Sequence, residues 1–368
     1  MYAREPSIPD TIVPQPPTDT VSSLLYSPNS DILAACSWDG SVYIYAPRNP
    51  SSHESMSLKT SIPNMNASPI LCSCFSNDGA LLFTGSADGK IRVIDMTTGN
   101  PTEFIGHDSA VSCMAFTSTQ LLVTGGWDKK LKFWNPQSMQ APVKEHLLEE
   151  KVHAMDAKGS VVVACLTRNL MAIFDAYTLE KKPPAATNTY GSSSFIGSKY
   201  GRSSTMGMGY GASSMNKFAT KLTWQIRSIA CNSTGSFALL GAIDARADII
   251  AIQNTDSHSQ SDFYVFKCHK QDKELYPVNK VLIHPVYQTT MATFGGDGMY
   301  NLWRRPDRYR LKFGGPGNGQ SITTAAFDTT GRYLAYATGY DWSKGYLPQI
   351  SIPVEIRIVP ISEKYHQK

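Results

Sequence analysis

The seven cysteines of this sequence contain no C-x-x-C pair, which excludes the common zinc-ribbon and thioredoxin-type spacings. Their number is odd and most lie inside apolar stretches, so we expect reduced, buried thiols rather than a disulfide framework. No apolar run reaches the roughly 18 residues that a membrane-spanning helix needs, and no run of signal-peptide length stands near the N-terminus. We therefore expect a soluble, intracellular protein.

Charge is also scarce. Charged residues make up 17% of the chain, below the roughly 25% of an average soluble protein, and the formal net charge is only +4. This total does not by itself indicate a nucleic-acid binder. Nucleic-acid binding can be inferred only from local clusters of basic residues. The sequence also lacks a nucleophile elbow and a phosphate loop between a strand and a helix. We predict a non-enzymatic protein without a metal site or a cofactor.

What the sequence does contain is a repeated hairpin with an aspartate in its turn. In the clearest copy, two β-prone runs at 121–124 and 131–134 flank the turn Gly125-Gly126-Trp127-Asp128. A third apolar run at 111–116 precedes them. The pattern predicts three neighbouring antiparallel strands.

Six further turns of this kind recur at spacings of mostly about 40 to 50 residues, which is the period of a propeller blade. They are centred on Asp39, Asp88, Arg168, Ala245, Asp297 and Asp341. One gap is too long, and omitting the Gly-, Ser-, Tyr- and Met-rich residues 182–218 restores the period. We therefore predict an all-β fold, a seven-bladed WD-repeat β-propeller over residues 20–360, with an inserted loop at 182–218.

The two ends of the chain are predicted to lie outside the regular blades. Residues 1–19 are rich in proline and form an N-terminal arm, and residues 361–368 form a short tail. An open propeller would expose two strand edges. We therefore expect an extended piece at 11–13 to pair with the last blade and close the ring.

A Gly-His pair before the third blade and a Trp-Asp pair in its turn are typical of WD repeats. In such blades a loop His, a strand Thr, a turn Asp and a strand Trp form a hydrogen-bonded network. The corresponding residues here are His107, Thr124, Asp128 and Trp134. The alternative is a catalytic His–Asp pair. A buried polar network must satisfy its own hydrogen bonds wherever it occurs, which favours the structural role.

The strongest basic cluster follows the sixth blade's turn and is interleaved with aromatic residues. Its members are Arg304, Arg305, Arg308, Arg310 and Lys312, with Trp303 and Tyr309 between or beside them. Arginines combined with aromatics suit phosphates, stacked bases and acidic peptides alike. A solvated basic loop is the alternative.

Several segments resemble the nuclear-pore poly(A) RNA export factor family of WD-repeat proteins. They are residues 124–134, 266–269, 276–279 and 284–285. The spindle-checkpoint propeller that binds the mitotic checkpoint kinases is a sister family and shares most of these motifs. The segment Tyr-Asp-Trp-Ser-Lys-Gly at 340–345 resembles the export factors and not the checkpoint protein.

The resemblance implies a scaffold that acts in mRNA export, with one face binding a GLEBS segment, a short acidic and apolar motif of an FG nucleoporin. The residues implied for that face are Trp38, Trp127 and Arg246. The family's Glu-Gly-Arg turn reads Asp244-Ala245-Arg246 here. For the two tryptophans, packing between blades is the alternative.

The resemblance also places Phe266 and Trp303 beside a basic rim associated with RNA or acidic ligands, with core packing as the alternative. The implied partners are a GLEBS-containing FG nucleoporin, messenger RNA or its particles, and mitotic checkpoint proteins, with no membrane. The implied location is the nucleus, the nuclear envelope at the pore, and the cytoplasm. The alternative function is a spindle-assembly-checkpoint adaptor that binds GLEBS segments of checkpoint kinases.

Overall fold

A computed structural model describes residues 10–49, 52–63, 68–182, 220–253, 262–317, 319–343, 345 and 352–362. Within these ranges the regular structure is β-strand, apart from one 3₁₀ turn at Thr167–Asn169. No helix in the described part of the chain is long and apolar enough to cross a membrane. The predicted inserted loop, apart from Lys182, lies outside the described residues, as do residues 1–9 of the arm and 363–368 of the tail.

The first four blades are four-stranded antiparallel sheets whose strands follow one another in chain order. Blade 1 contains β2 (Val21–Tyr26), β3 (Leu33–Ser37), β4 (Val42–Asn49) and β5 (Ser52–Ile62). Blade 2 contains β6 (Ile70–Phe75), β7 (Leu81–Ser86), β8 (Lys90–Asp95) and β9 (Pro101–Ile105). Blade 3 contains β10 (Val111–Phe116), β11 (Leu122–Gly126), β12 (Lys130–Trp134) and β13 (Lys144–Leu147). Blade 4 contains β14 (Val152–Lys158), β15 (Val161–Leu166), β16 (Met171–Asp175) and β17 (Lys181–Lys182).

Three more sheets complete the fold. Blade 5 contains β18 (Ile226–Cys231), β19 (Phe237–Ala242), β20 (Arg246–Ala251) and β21 (Val265–Lys267). A two-stranded hairpin of β22 (Lys270–Gln271) and β23 (Glu274–Leu275) follows. Blade 6 contains β24 (Val278–Ile283), β25 (Thr290–Gly295), β26 (Tyr300–Arg304) and β27 (Tyr309–Gly314). Blade 7 contains β28 (Ser321–Phe327), β29 (Tyr333–Gly339), β30 (Glu355–Pro360) and β1 (Thr11–Val13). The predicted all-β, seven-bladed propeller is confirmed.

Blade 7 joins the two ends of the chain. Strand β1 pairs antiparallel with β30, with Thr11 opposite Ile358 and Val13 opposite Ile356. The innermost strand of every blade contacts the innermost strands of both neighbours, and β28 contacts β2. The Thr323 hydroxyl adds a 2.8 Å hydrogen bond to the Val21 carbonyl across this last boundary. The ring is therefore closed between blade 7 and blade 1.

The hydrophobic core is divided into seven clusters, one between each pair of adjacent blades. The second strand of a blade is buried on both faces, and its side chains belong alternately to the two neighbouring clusters. In β3, Leu33 and Ala35 face blade 7, whereas Ala34 and Cys36 face blade 2. This double burial explains the continuous apolar runs in the sequence. All seven cysteines are free thiols, buried or half-buried, and Cys36 and Cys165 lie on such second strands.

Every innermost strand carries a β-bulge at the same place. The register with the second strand skips one residue in each blade, so an extra side chain is presented to the central channel. The seven bulged residues are Ser22, Leu71, Ser112, His153, Arg227, Asn279 and Thr323. They form one ring of side chains, with one member from each blade.

The structure continues β4 to Asn49 and pairs it with the long strand β5, although the sequence there is polar and rich in serine. An outermost strand faces solvent on much of its surface, so it needs no apolar alternation and leaves no clear signal in the sequence. The hairpin of β22 and β23 was missed for the same reason, because all four of its residues are exposed.

Candidate partner-binding face

The four residues predicted as a network in blade 3 are brought together by the structure. His107 Nδ1 lies 2.9 Å from Asp128 Oδ1, and His107 Nε2 lies 2.8 Å from Thr124 Oγ1. The Trp134 indole N–H donates to the same Thr124 oxygen at 2.9 Å. These contacts link the loop before the blade, its second strand, its turn and its third strand.

The donors decide where the protons of this network lie. Because the Trp134 indole can only donate, the Thr124 oxygen accepts from it, and the Thr124 hydroxyl proton points to His107 Nε2. His107 Nδ1 then carries the ring proton and donates to Asp128. Burial lowers the pKa of His107 in spite of the nearby Asp128 carboxylate, so the ring is neutral at pH 7. The backbone N–H groups of Asp108 and Lys130 also donate to Asp128. The network satisfies itself and leaves no group poised for catalysis.

Blade 6 contains a second copy of the same network, which the sequence analysis did not assign. His269 Nδ1 lies 2.9 Å from Asp297 Oδ1, and both His269 Nε2 and the Trp303 indole nitrogen lie 3.0 Å from Thr293 Oγ1. The signal was present, since both blades read Thr-x₃-Asp-x₅-Trp. Trp303, predicted for the basic rim, therefore also holds its own blade together.

Trp38, Trp127 and Arg246 lie at one end of the ring, on blades 1, 3 and 5. Each stands in or directly after the turn between the second and third strands of its blade. All blades are built with the same strand order, so these turns project from the same end of the propeller. We call this end the turn face.

An aromatic cluster joins the first and last blades on the turn face. The indole of Trp38 stacks on that of Trp342, with ring centroids 5.8 Å apart and 27° between the planes. The centre of the Tyr340 ring lies 5.7 Å from that of Trp342, with 46° between the planes. Trp38 is half-buried, whereas 44% of Trp342 remains exposed. Trp342 and Tyr340 were not predicted for this face, although both belong to the segment that distinguishes the export factors.

The other two predicted residues keep their side chains accessible. Trp127 is 41% exposed, and the Lys151 ammonium lies 5.8 Å from the centre of its ring. The Arg246 Nε lies 3.4 Å from an oxygen of Asp244, and about a third of its side chain is exposed. Ala245, where the resembled family has glycine, takes the left-handed conformation with φ of 63°. The turn is therefore kept without glycine, at the cost of local strain.

The predicted rim residues divide into two groups on the outer side of blades 5 and 6. In the first, the Phe266 and Trp303 rings meet edge to face at 5.1 Å, and Tyr264 lies 5.7 Å from Phe266. The exposed Arg308 stacks over Tyr264 at 4.0 Å. Arg305 is buried, with its guanidinium 4.2 Å from the centre of the Phe237 ring. Only Arg308 offers an exposed cation in this group.

The second group consists of Arg304 at the end of β26 and of Arg310 and Lys312 on β27. Arg304 forms a bidentate ion pair with Asp307, and its guanidinium lies 5.6 Å from the Tyr309 ring centre. Arg310 stacks over Phe313 at 4.7 Å, and the Lys312 ammonium lies 5.9 Å from the Tyr300 ring centre. The turn that joins β26 and β27 lies at the end of the ring opposite the turn face. The basic cluster and the face of Trp38, Trp127 and Arg246 are therefore two separate surfaces.

Within the described residues, no three His, Cys, Asp or Glu side chains are grouped so that they could hold a metal ion. The buried thiols are poor ligands and nucleophiles, because burial raises their pKa, that of Cys36 and Cys113 to about 12. The geometry instead suits binding through aromatic stacking and charge.

Comparison with known proteins places this architecture in a family. The WD domain, G-beta repeat model matches residues 11–46, 58–95 and 100–135. Over 364 residues the chain is 31% identical to the Poly(A)+ RNA export protein of Schizosaccharomyces pombe. The alignment covers 96% of this chain and 91% of that protein. The chain belongs to the WD-repeat family of poly(A)+ RNA export proteins.

Two further comparisons concern a checkpoint protein and a solved structure. The Mitotic checkpoint protein BUB3.1 of Arabidopsis thaliana is 27% identical over 94% of this chain and 91% of that protein. Among solved structures, the RRP9 WD40 repeats superpose with a TM-score of 0.72 at 15% identity, covering 95% of this chain and 97% of theirs. That likeness concerns the fold alone. Sequence similarity spans both the export family and its checkpoint relative, with the higher identity to the export protein.

Proposed function

We propose that this protein is a non-enzymatic scaffold of mRNA export that binds a GLEBS segment of an FG nucleoporin on its turn face. The observation that carries the proposal is the 31% identity to the Poly(A)+ RNA export protein over 96% of the chain. A protein in this role works in the nucleus and at the nuclear pore, and also reaches the cytoplasm. Messenger RNA particles are then its cargo.

The turn face has the chemistry that an acidic and apolar segment requires. Trp342 and Trp127 are large aromatic surfaces that are already partly exposed, so their contact with apolar side chains removes apolar area from water. Arg246 is held beside Asp244 yet keeps accessible donors for a carboxylate of the partner. These residues stand on turns between rigid strands, so little ordering entropy is lost on binding.

The outer side of blades 5 and 6 is the second surface in the proposal. There the exposed Arg308 and Arg310 each lie over an aromatic ring, which orients the guanidinium for a phosphate or a stacked base. We assign direct RNA or acidic-ligand contact to this side. Because it is separate from the turn face, both ligands can be held at once.

The test is calorimetric titration of the full chain with two GLEBS peptides, one from the organism's own FG nucleoporin and one from its checkpoint kinase, at two salt concentrations. We expect the nucleoporin peptide to bind more tightly, with an affinity that falls at the higher salt concentration because charge contributes. Binding of neither peptide would contradict the proposal.

A checkpoint adaptor that binds GLEBS segments of checkpoint kinases is the second candidate. The similarity to BUB3.1 over 94% of the chain favours it. The export-type segment at 340–345 counts against it. Preference for the kinase peptide in the same titration would move the assignment to this function.

A further inference from the structure

The mouth of the central channel on the turn face is a cavity of about 370 Å³. All seven bulged residues line it, together with Trp38, Tyr340, Asp341 and Trp342. Lys280, the residue after the bulge in blade 6, lines this cavity and the one beyond it. The side chains of the bulge ring therefore decide what the channel mouth can bind.

Four of the bulged side chains have a structural task. Each donates a hydrogen bond to the carbonyl of the residue that precedes the bulge in the next blade, and so ties neighbouring blades together. These bonds are Ser22 to Ile70 at 2.5 Å, Ser112 to Val152 at 2.7 Å, Asn279 to Ile322 at 2.8 Å and Thr323 to Val21 at 2.8 Å. Leu71 has no donor for such a bond.

The two remaining bulged side chains, His153 and Arg227, have donors but do not make this bond. The side chains of His153, Arg227 and Lys280 form no hydrogen bond or ion pair with any part of the chain that the structure describes. Three consecutive blades, 4, 5 and 6, thus contribute a His, an Arg and a Lys to the lining of one cavity. None of these side chains has a hydrogen-bond or ion-pair partner within the described residues. Closing the ring does not require these residues, because four blades make the bond with Ser, Asn or Thr and blade 2, with Leu71, does without it.

The acidic groups near this cluster are already engaged. Asp156 accepts hydrogen bonds from the backbone N–H groups of Ala157 and Cys231. Asp341 accepts from the Ser321 hydroxyl at 2.9 Å and from the Ser343 N–H at 3.1 Å. Burial lowers the pKa of Lys280, and the charge of Asp156 opposes that shift only in part. Lys280 is half-buried and Arg227 is exposed to the solvent of the channel mouth, so both cations are accessible to an anion that enters the cavity.

His153 fits the same set as a neutral donor. Burial and the charge of Lys151 lower its pKa, so its ring is neutral at pH 7 and presents an N–H group. A neutral donor beside two cations suits an oxyanion with several acceptor oxygens. The volume of the cavity accommodates pyrophosphate or a small phosphorylated molecule.

We infer that the channel mouth is a binding site for a small phosphate-type oxyanion, with Arg227 and Lys280 as its charged partners and His153 as a hydrogen-bond donor. Trp38 and Trp342, which belong to the proposed peptide-binding face, also line the cavity, whereas Trp127 and Arg246 do not. The charged groups of the anion site are separate from the residues proposed for the peptide. A failure of the peptide titration would leave this inference untouched, and the reverse also holds.

The test is titration of the full chain with sodium pyrophosphate in a phosphate-free buffer, followed by calorimetry and by thermal unfolding. Sodium chloride at matched ionic strength is the control for general salt effects. We expect saturable binding of pyrophosphate and a rise in Tm that chloride does not reproduce. Arg227→Gln and Lys280→Gln should each weaken the affinity by about tenfold or more, as expected for loss of a charge-assisted contact.

Two matched variants separate this site from a general charge effect. Lys280→Arg keeps the charge and should retain binding, whereas Lys158→Gln removes a cation from the opposite mouth and should also retain it. Since Lys280 makes no hydrogen bond that the fold depends on, its variants should remain folded. If the wild-type chain gives no saturable binding, or if Arg227→Gln and Lys280→Gln bind as Lys158→Gln does, the inference is wrong.

Discussion

The Trp38 indole in the turn of the first blade stacks on the Trp342 indole in the last blade, with the ring centroids 5.8 Å apart. The contact bridges the boundary at which the ring closes. It also builds one continuous aromatic surface from two blades, and 44% of Trp342 remains exposed.

Removing Trp342 should therefore affect binding more than folding. Trp342→Ala takes away an exposed aromatic surface, and we expect the affinity for the nucleoporin GLEBS peptide to fall by about 2 kcal/mol, with little change in Tm. Calorimetry and thermal unfolding measure the two effects. Tyr177→Ala is the control, because Tyr177 is 70% exposed but follows the third strand of blade 4, at the opposite end. Equal losses in both variants would rule out a special role of Trp342.

Arg246→Ala should weaken the same peptide by roughly 1.5–3 kcal/mol if the guanidinium contacts a carboxylate in the complex. The Arg246 side chain contacts only its neighbour Asp244 as an ion pair in the described part of the chain, so stability should change little. Arg246→Lys keeps the charge but not the forked donor geometry and should recover part of the affinity. An unchanged affinity in Arg246→Ala would remove this residue from the binding face.

Thr124→Val should destabilise the protein by roughly 2–4 kcal/mol, because it leaves the Trp134 indole N–H and the His107 Nε2 atom without a partner inside the core. Thr84 offers a matched control. It stands four residues before the turn aspartate of blade 2, as Thr124 does in blade 3, but its buried hydroxyl makes no hydrogen bond within the described residues. Thr84→Val should therefore be neutral or stabilising. Urea denaturation compares the two, and similar losses would contradict the network's role.

Stability should fall as the pH drops below about 6.5, the ordinary histidine pKa in an unfolded chain. Burial lowers the folded-state pKa of His107 and of His153, so the unfolded chain binds their protons first. The stabilisation is complete above the unfolded pKa and is lost as the pH falls towards the lower folded values. Urea midpoints at about pH 7.5 and pH 5.5 measure this difference. His153→Gln should reduce it without lowering stability at pH 7.5, and an undiminished difference would exclude His153 as a contributor.

The local parts of this structure could be read from the chain because they repeat. Asp128 and Asp297 each stand four residues after a threonine and six before a tryptophan, a spacing set by one hairpin. Such short-range order makes the blade count and the network of blade 3 predictable. The long strand β5 was less predictable because its solvent-facing side imposes no apolar pattern.

The basic cluster shows where sequence reasoning ends. Five cations within a short stretch predict one rim, but the structure buries Arg305 under Phe237 and ties Arg304 to Asp307. Adjacent residues on a strand point to opposite faces, and the faces differ in what the next blade places against them. The composition of one stretch does not show which residues the next blade places against each face of the strand.

The sequence alone thus determined the repeat, the strand and turn order within each blade, and the residues that hold a blade together, since all of these depend on contacts within one hairpin or its preceding loop. Only the tertiary structure decided that Trp342 meets Trp38 and that His153, Arg227 and Lys280 face one cavity. These residues lie on different blades, and their meeting depends on the closure of the ring and on a bulge that turns one side chain of each inner strand into the channel.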